Sequence, residues 1–96
     1  MKKTYSVSWS PKAKESYVET ILFILEKWTL KEVKGFEKEA KRVIKNLSSN
    51  LWLCPEIMYK NLRKCTVSKQ TSLVYRIVGE SIEIVAFLDN RSEHNY

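Results

Sequence analysis

Long apolar runs, histidine and cysteine are what this 96-residue sequence has least of. Its longest uninterrupted apolar stretches are five residues, Ile21 to Leu25 and Ile84 to Leu88. A membrane-spanning helix needs ~20, so no membrane role is expected. The basic start MKKTYSVSWSP leads into no apolar segment, so it does not read as a signal peptide, and the chain is expected in the cytoplasm. One histidine, His94, with Cys54 and Cys65 cannot supply a tetrahedral zinc site, and no metal or cofactor is expected. Disulfides are rare in the cytosol, so the two cysteines read as half-buried small hydrophobes. Internal repeats, linkers and low-complexity segments are also absent.

What is present is a folding sequence. Apolar content of 44% with three tryptophans argues for a globule. The length fits one domain over residues 1–96 with a single core. Seventeen basic against eleven acidic residues give a net charge of +6, which favours a polyanion or an acidic protein as partner.

Tyr5-Ser6-Val7-Ser8-Trp9 alternates as a strand does, with Tyr5, Val7 and Trp9 on one face. Ser10-Pro11 supplies an N-cap and a first-turn proline. Ala13, Tyr17, Ile21, Ile24 and Trp28 then recur at helical spacing. Val18, Leu22 and Leu25 widen that stripe, which predicts a helix buried over much of its circumference. Thr29 and Glu32 form a capping-box signature for a second helix. Its core stripe is Val33, Phe36, Ala40, Val43 and Leu47, and Ser48-Ser49-Asn50 ends it. The tight connection predicts an antiparallel helical hairpin. Gly35 costs the second helix about 1 kcal/mol relative to alanine, and close packing against the first helix is the expected reason.

Residues 51–61, interrupted by Pro55, read as a loop lying on the domain. Three strands follow, near Leu62 to Val67, Ser72 to Val78 and Ser81 to Leu88, with Gly79-Glu80 as a two-residue turn. That turn sets Ile77 opposite Ile82, Arg76 opposite Glu83, Tyr75 opposite Ile84 and Val74 opposite Val85. Leu73, Tyr75, Ile77, Ile82, Ile84 and Ala86 should then face the helices, leaving Val74, Arg76, Glu83, Val85 and Phe87 on an open face. A two-residue turn at Lys69-Gln70 places Arg63 opposite Arg76, whereas a three-residue loop sends it to the other side. Lys31, Lys34, Lys38, Lys41 and Lys45 recur roughly 150° from the second helix's core stripe. They form either a solvated outer face or a phosphate-tracking stripe.

Two segments, WSPKAKESYVETILFILEKW and NLRKCTVSKQTSLVYRIVGESIEIVAFLDNR, carry a family likeness. With the order β-α-α-β-β-β, the chain resembles the RelE/ParE toxin superfamily over nearly its whole length. The resemblance implies an α+β fold, an antiparallel sheet with an N-terminal helical hairpin on one face. It further implies the toxin of a type II toxin–antitoxin pair, neutralised by a cognate antitoxin. RelE-like members cleave messenger RNA on the ribosome without a metal, and ParE-like members poison DNA gyrase. Carried over by position, Arg91 matches the arginine after the last strand and Tyr96 falls near the terminal tyrosine. Lys69 stands loosely for a sheet lysine, and Arg63 joins the candidate site if the register allows. Ser72 stands where RelE-like chains have an arginine, and Asp-Asn-Arg replaces Gly-Lys-Arg. These departures favour gyrase as target, with ribosome-bound messenger RNA as the alternative and a non-toxic binding module as the third reading. His94 is expected to be an ordinary surface residue.

Overall fold

The computed structural model describes residues 4–58 and 61–90. Strand β1 (Ser6–Trp9) leads into helices α1 (Pro11–Lys27) and α2 (Leu30–Ser49). Strands β2 (Arg63–Thr66), β3 (Thr71–Val78) and β4 (Ser81–Asp89) follow. In the sheet the order is β1-β4-β3-β2. The expected antiparallel sheet holds for β2, β3 and β4, while β1 adds a fourth strand parallel to β4, making the sheet mixed. The two helices cover one face.

Each helix starts where its sequence says. The Ser10 hydroxyl accepts from the Ala13 amide at 2.9 Å and donates to the Val85 carbonyl at 2.8 Å. One side chain therefore caps α1 and fixes its first turn to β4. At the start of α2, the Glu32 carboxylate accepts from the Thr29 amide at 3.2 Å and from the Thr29 hydroxyl. That hydroxyl is the main reason the Glu32 carboxyl titrates below its ordinary value. Gly35 has nothing within 4 Å of where a Cβ would stand, so close packing is not its reason.

The Gly79 turn behaves as expected, with φ +64°, and sets Val78 opposite Ser81 through to Tyr75 opposite Ile84. Beyond that the register shifts. Val74 pairs with Ala86 rather than Val85, because a β-bulge opens between Val74 and Tyr75 on the β3–β4 ladder. The extra residue turns β4 over. Phe87, expected on the open face, lies in the core, while Ala86 leaves the helix-facing set. The bulge is stabilised from α1: the buried Ser16 hydroxyl accepts the Phe87 amide at 2.9 Å and donates to the Lys12 carbonyl at 2.7 Å. Phe87 then packs against Tyr17 at 5.1 Å and Trp9 at 5.4 Å, with Phe36 at 6.2 Å between ring centroids.

Two further expectations change. Val18, Leu22 and Leu25 are 53%, 59% and 43% exposed, so α1 is buried on one side only. Cys54 and Cys65, expected as thiols, are bonded, with Cα atoms 5.4 Å apart. The cause is the path of the 51–58 segment. The Lys64 amide donates to the Pro55 carbonyl at 3.2 Å and the Ile57 amide to the Leu62 carbonyl at 2.9 Å, which folds Cys54 back onto β2. Replacing both cysteines with serine, or reducing them, is expected to cost about 2–3 kcal/mol by the loop-entropy relation. Denaturant midpoints measured with and without reductant check this; coincident midpoints would mean that the crosslink contributes nothing.

Candidate functional site

The tip of the β2–β3 hairpin holds the first candidate, Lys69. The Val67 amide donates to the Thr71 carbonyl at 2.9 Å, so Ser68, Lys69 and Gln70 form a three-residue loop. Lys69 is exposed there. The end of β4 is tied to this tip by Asn90. Its amide donates to the Gln70 carbonyl at 2.7 Å, and its side-chain nitrogen lies 3.5 Å from the Lys69 carbonyl. The buried Ser72 hydroxyl donates to the Asn90 side-chain oxygen at 2.7 Å. Ser72 and Asn90 were not among the candidates. Their signal was the Asn in Asp-Asn-Arg, a residue suited to bonding neighbouring backbone.

The three-residue loop also decides Arg63, which pairs with Tyr75 and so lies on the opposite face from Arg76. Its guanidinium stacks 4.8 Å from the centroid of the exposed Trp52 ring and donates to the Cys54 carbonyl at 2.5 Å. Beside it, the buried Tyr75 hydroxyl donates to the Leu51 carbonyl at 2.8 Å and accepts from the Cys54 amide at 3.3 Å. Burial pushes the Tyr75 phenol above its ordinary value, with the Cys54 amide and Arg63 pulling weakly the other way. This cluster holds the 51–54 segment against the sheet. Arg76 sits across the sheet, its Nε donating to the Glu83 carboxylate at 2.6 Å as its pairing predicts.

Lys69, Arg63 and Arg76 therefore occupy three separate places. Arg91 and Tyr96, like His94, lie outside the described residues. A cleft of about 480 Å³ runs between the helical hairpin and the Ser68–Gln70 loop, floored by Ile24, Trp28 and Phe36 and edged by Lys38, Glu39 and Lys69. Among the described residues no group of three or more His, Cys, Asp or Glu is arranged to hold a metal, and no helix is long and apolar enough to cross a membrane.

A helical hairpin laid on a mixed sheet of order β1-β4-β3-β2 is the fold of RelE/ParE-like toxins. Among solved structures, the chain is similar to a chain of the chromosomal ParDE TA system from P. aeruginosa. The TM-score is 0.76 at 14% identity, over 91% of this chain and 97% of that one. It is also similar to the YoeB dimer from Staphylococcus aureus, with TM-score 0.65 and 16% identity over 97% and 99% of the two chains. The E. coli DinJ-YafQ toxin-antitoxin complex gives 0.64 and 11% identity over 96% and 99%. No protein-family model and no curated protein matches the sequence.

Proposed function

We propose that this chain is the toxin of a type II toxin–antitoxin pair, arresting growth by poisoning DNA gyrase unless a cognate antitoxin covers it. The fold and the ParDE and DinJ-YafQ likenesses support the toxin reading. The choice of gyrase over messenger RNA rests on one observation, the dispersal of the cations. Metal-free RNA cleavage needs positive charge converging on the phosphate, and removing one preorganised stabiliser costs roughly 10²–10³ in rate. Among the described candidates, Arg63 is committed to Trp52 and Cys54, Arg76 is paired with Glu83, and Lys69 edges a cleft with Lys38 and Glu39, apart from both arginines. Arg91 and Tyr96, with Lys69 and Arg63, remain the residues proposed to carry activity.

Either target puts the chain in the cytoplasm. There a reducing pool opposes the Cys54–Cys65 bond, but the crosslink is one tie among several, beside the backbone bonds to β2 and the anchor on Tyr75. Induced expression in bacteria without a partner is expected to arrest growth and raise a DNA-damage response. Purified chain on programmed ribosomes is expected to leave the message intact. Codon-aligned cuts would transfer the reading to ribosome-dependent RNA cleavage, and normal growth at high soluble expression would favour a non-toxic binding module.

A further inference from the structure

The Cys54–Cys65 bond joins two residues of unequal access. Cys65 lies on β2 with its side chain in the core, 2% exposed. Cys54 is half-buried at the margin of that core, in a stretch where Leu53, Pro55 and Glu56 are all exposed. A molecule arriving from solvent therefore meets Cys54 first.

Polar contacts also hold Cys54 in place, apart from its sulfur. Its amide donates to the Tyr75 hydroxyl at 3.3 Å, and its carbonyl accepts from the Arg63 guanidinium at 2.5 Å. On either side of it, the Leu51 carbonyl accepts from the Tyr75 hydroxyl at 2.8 Å and the Pro55 carbonyl from the Lys64 amide at 3.2 Å. Arg63 and Lys64 belong to the same strand as Cys65, and Tyr75 is fully buried on the next. The two Cα atoms stand 5.4 Å apart, inside the span a disulfide bridges without backbone movement.

Three readings compete for such a pair. A permanent crosslink serves small chains that lack a sufficient core, whereas this core draws on both helices and on β2, β3 and β4. Inert thiols are buried ones, which describes Cys65 but not Cys54. A bond that opens and closes fits both the unequal access and the preset geometry. We propose that Cys54 and Cys65 form a reversible thiol–disulfide switch, in which Cys54 reacts with a low-molecular-weight disulfide and Cys65 completes the bond. Cys54, having lost its proton to water, attacks one sulfur of the small disulfide. That S–S bond breaks, and one small thiolate leaves with the electron pair and takes up a proton. Cys65 then loses its proton and attacks the Cys54 sulfur of the mixed disulfide, expelling the second small thiolate, which is protonated in turn. The two cysteines are oxidised by two electrons, and the small disulfide is reduced to two thiols. An excess of the small thiol runs the same steps backwards. Closure ties to β2 the segment whose Trp52 ring stacks on Arg63, so the sulfurs set how firmly that cation is held. The switch draws on the proposed cytoplasmic placement only for its reagents.

The test uses the full chain, first reduced, with glutathione and glutathione disulfide as reagents. Acid quenching at short times and mass mapping are expected to find glutathione on Cys54 first, and then to lose it as the bond closes. Cys65→Ala, which keeps an apolar side chain in the core, should retain glutathione on Cys54. Cys54→Ser should take it up at least about tenfold more slowly, because its remaining thiol is buried. At equilibrium the bond should be open with glutathione in about hundredfold excess and closed where the disulfide predominates. Hydrogen exchange at the Cys54, Ile57 and Lys64 amides, which donate in the bonds of this segment, should slow about tenfold or more on closure.

Glutathione found first on Cys65, or equal uptake by the two single variants, would overturn the role given to Cys54. A bond still closed in the most reducing mixture would leave a permanent crosslink, and thiols still free in the most oxidising one would leave an inert pair; either result rejects the switch. Exchange rates that do not move on closure would reject its hold on the segment. Every one of these readings is made on purified chain, so growth arrest or its absence bears on the toxin reading alone.

Discussion

Phe87→Ala is expected to destabilise the protein by about 3–5 kcal/mol, the range for emptying a buried aromatic site. Small domains hold only about 5–15 kcal/mol in total, so much of the native population would be lost near growth temperature. The ring meets Trp9, Tyr17 and Phe36, side chains from one strand and both helices, and no single neighbour can move in to fill the space. A melting temperature lower by more than about 10 °C is the expected readout. A loss below about 1 kcal/mol, ordinary for a surface site, would put Phe87 on the other face of the sheet and leave β4 without a bulge.

Arg91→Ala is expected to abolish growth arrest while leaving stability within about 0.5 kcal/mol of the parent. The role comes from the family resemblance, since Arg91 lies outside the described residues. What the structure adds is the position before it. Asn90 bonds to Gln70, Ser72 and Lys69 at once, so the end of β4 is fixed against the exposed Lys69 loop. Growth curves after induction, with melting temperature measured on the same variant, check the prediction. A large fall in melting temperature would make Arg91 a clamp on the sheet instead.

The elements and most of the register could be read from residue pattern. Ser10-Pro11, Thr29 with Glu32, and Gly79-Glu80 each carry a local backbone requirement that side chains nearby satisfy. The bulge could not be read. Ile84 to Leu88 is apolar at every position, so alternation gives no sign of the inserted residue. The device that holds it is Ser16, sixty-nine residues upstream of Val85 and inconspicuous among helix positions. The Cys54–Cys65 contact was hidden for a related reason, because it depends on the 55–57 backbone folding against β2. The Arg63 side turned on one residue of loop length at Lys69. The α1 stripe failed in the opposite sense: pattern finds apolar residues at helical spacing, but only the fold shows which of two stripes the core has room for.

The parallel pairing of β1 with β4 bears on synthesis. Ser6 sits beside Ser81, 75 residues later, their hydroxyl oxygens 2.9 Å apart. The ribosome adds about 5–20 residues per second, so the first strand waits seconds for its neighbour to be made. The tie between the α1 cap and the sheet waits too, since the Ser10 hydroxyl donates to the Val85 carbonyl, and the Phe87 ring that joins both helices to the sheet arrives later still. The core of a nascent chain of this protein therefore stays incomplete until β4 is outside the exit tunnel. Whatever the finished surface does, it does only once β4 is out and paired with β1, and a partner translated beforehand has that interval to be in place.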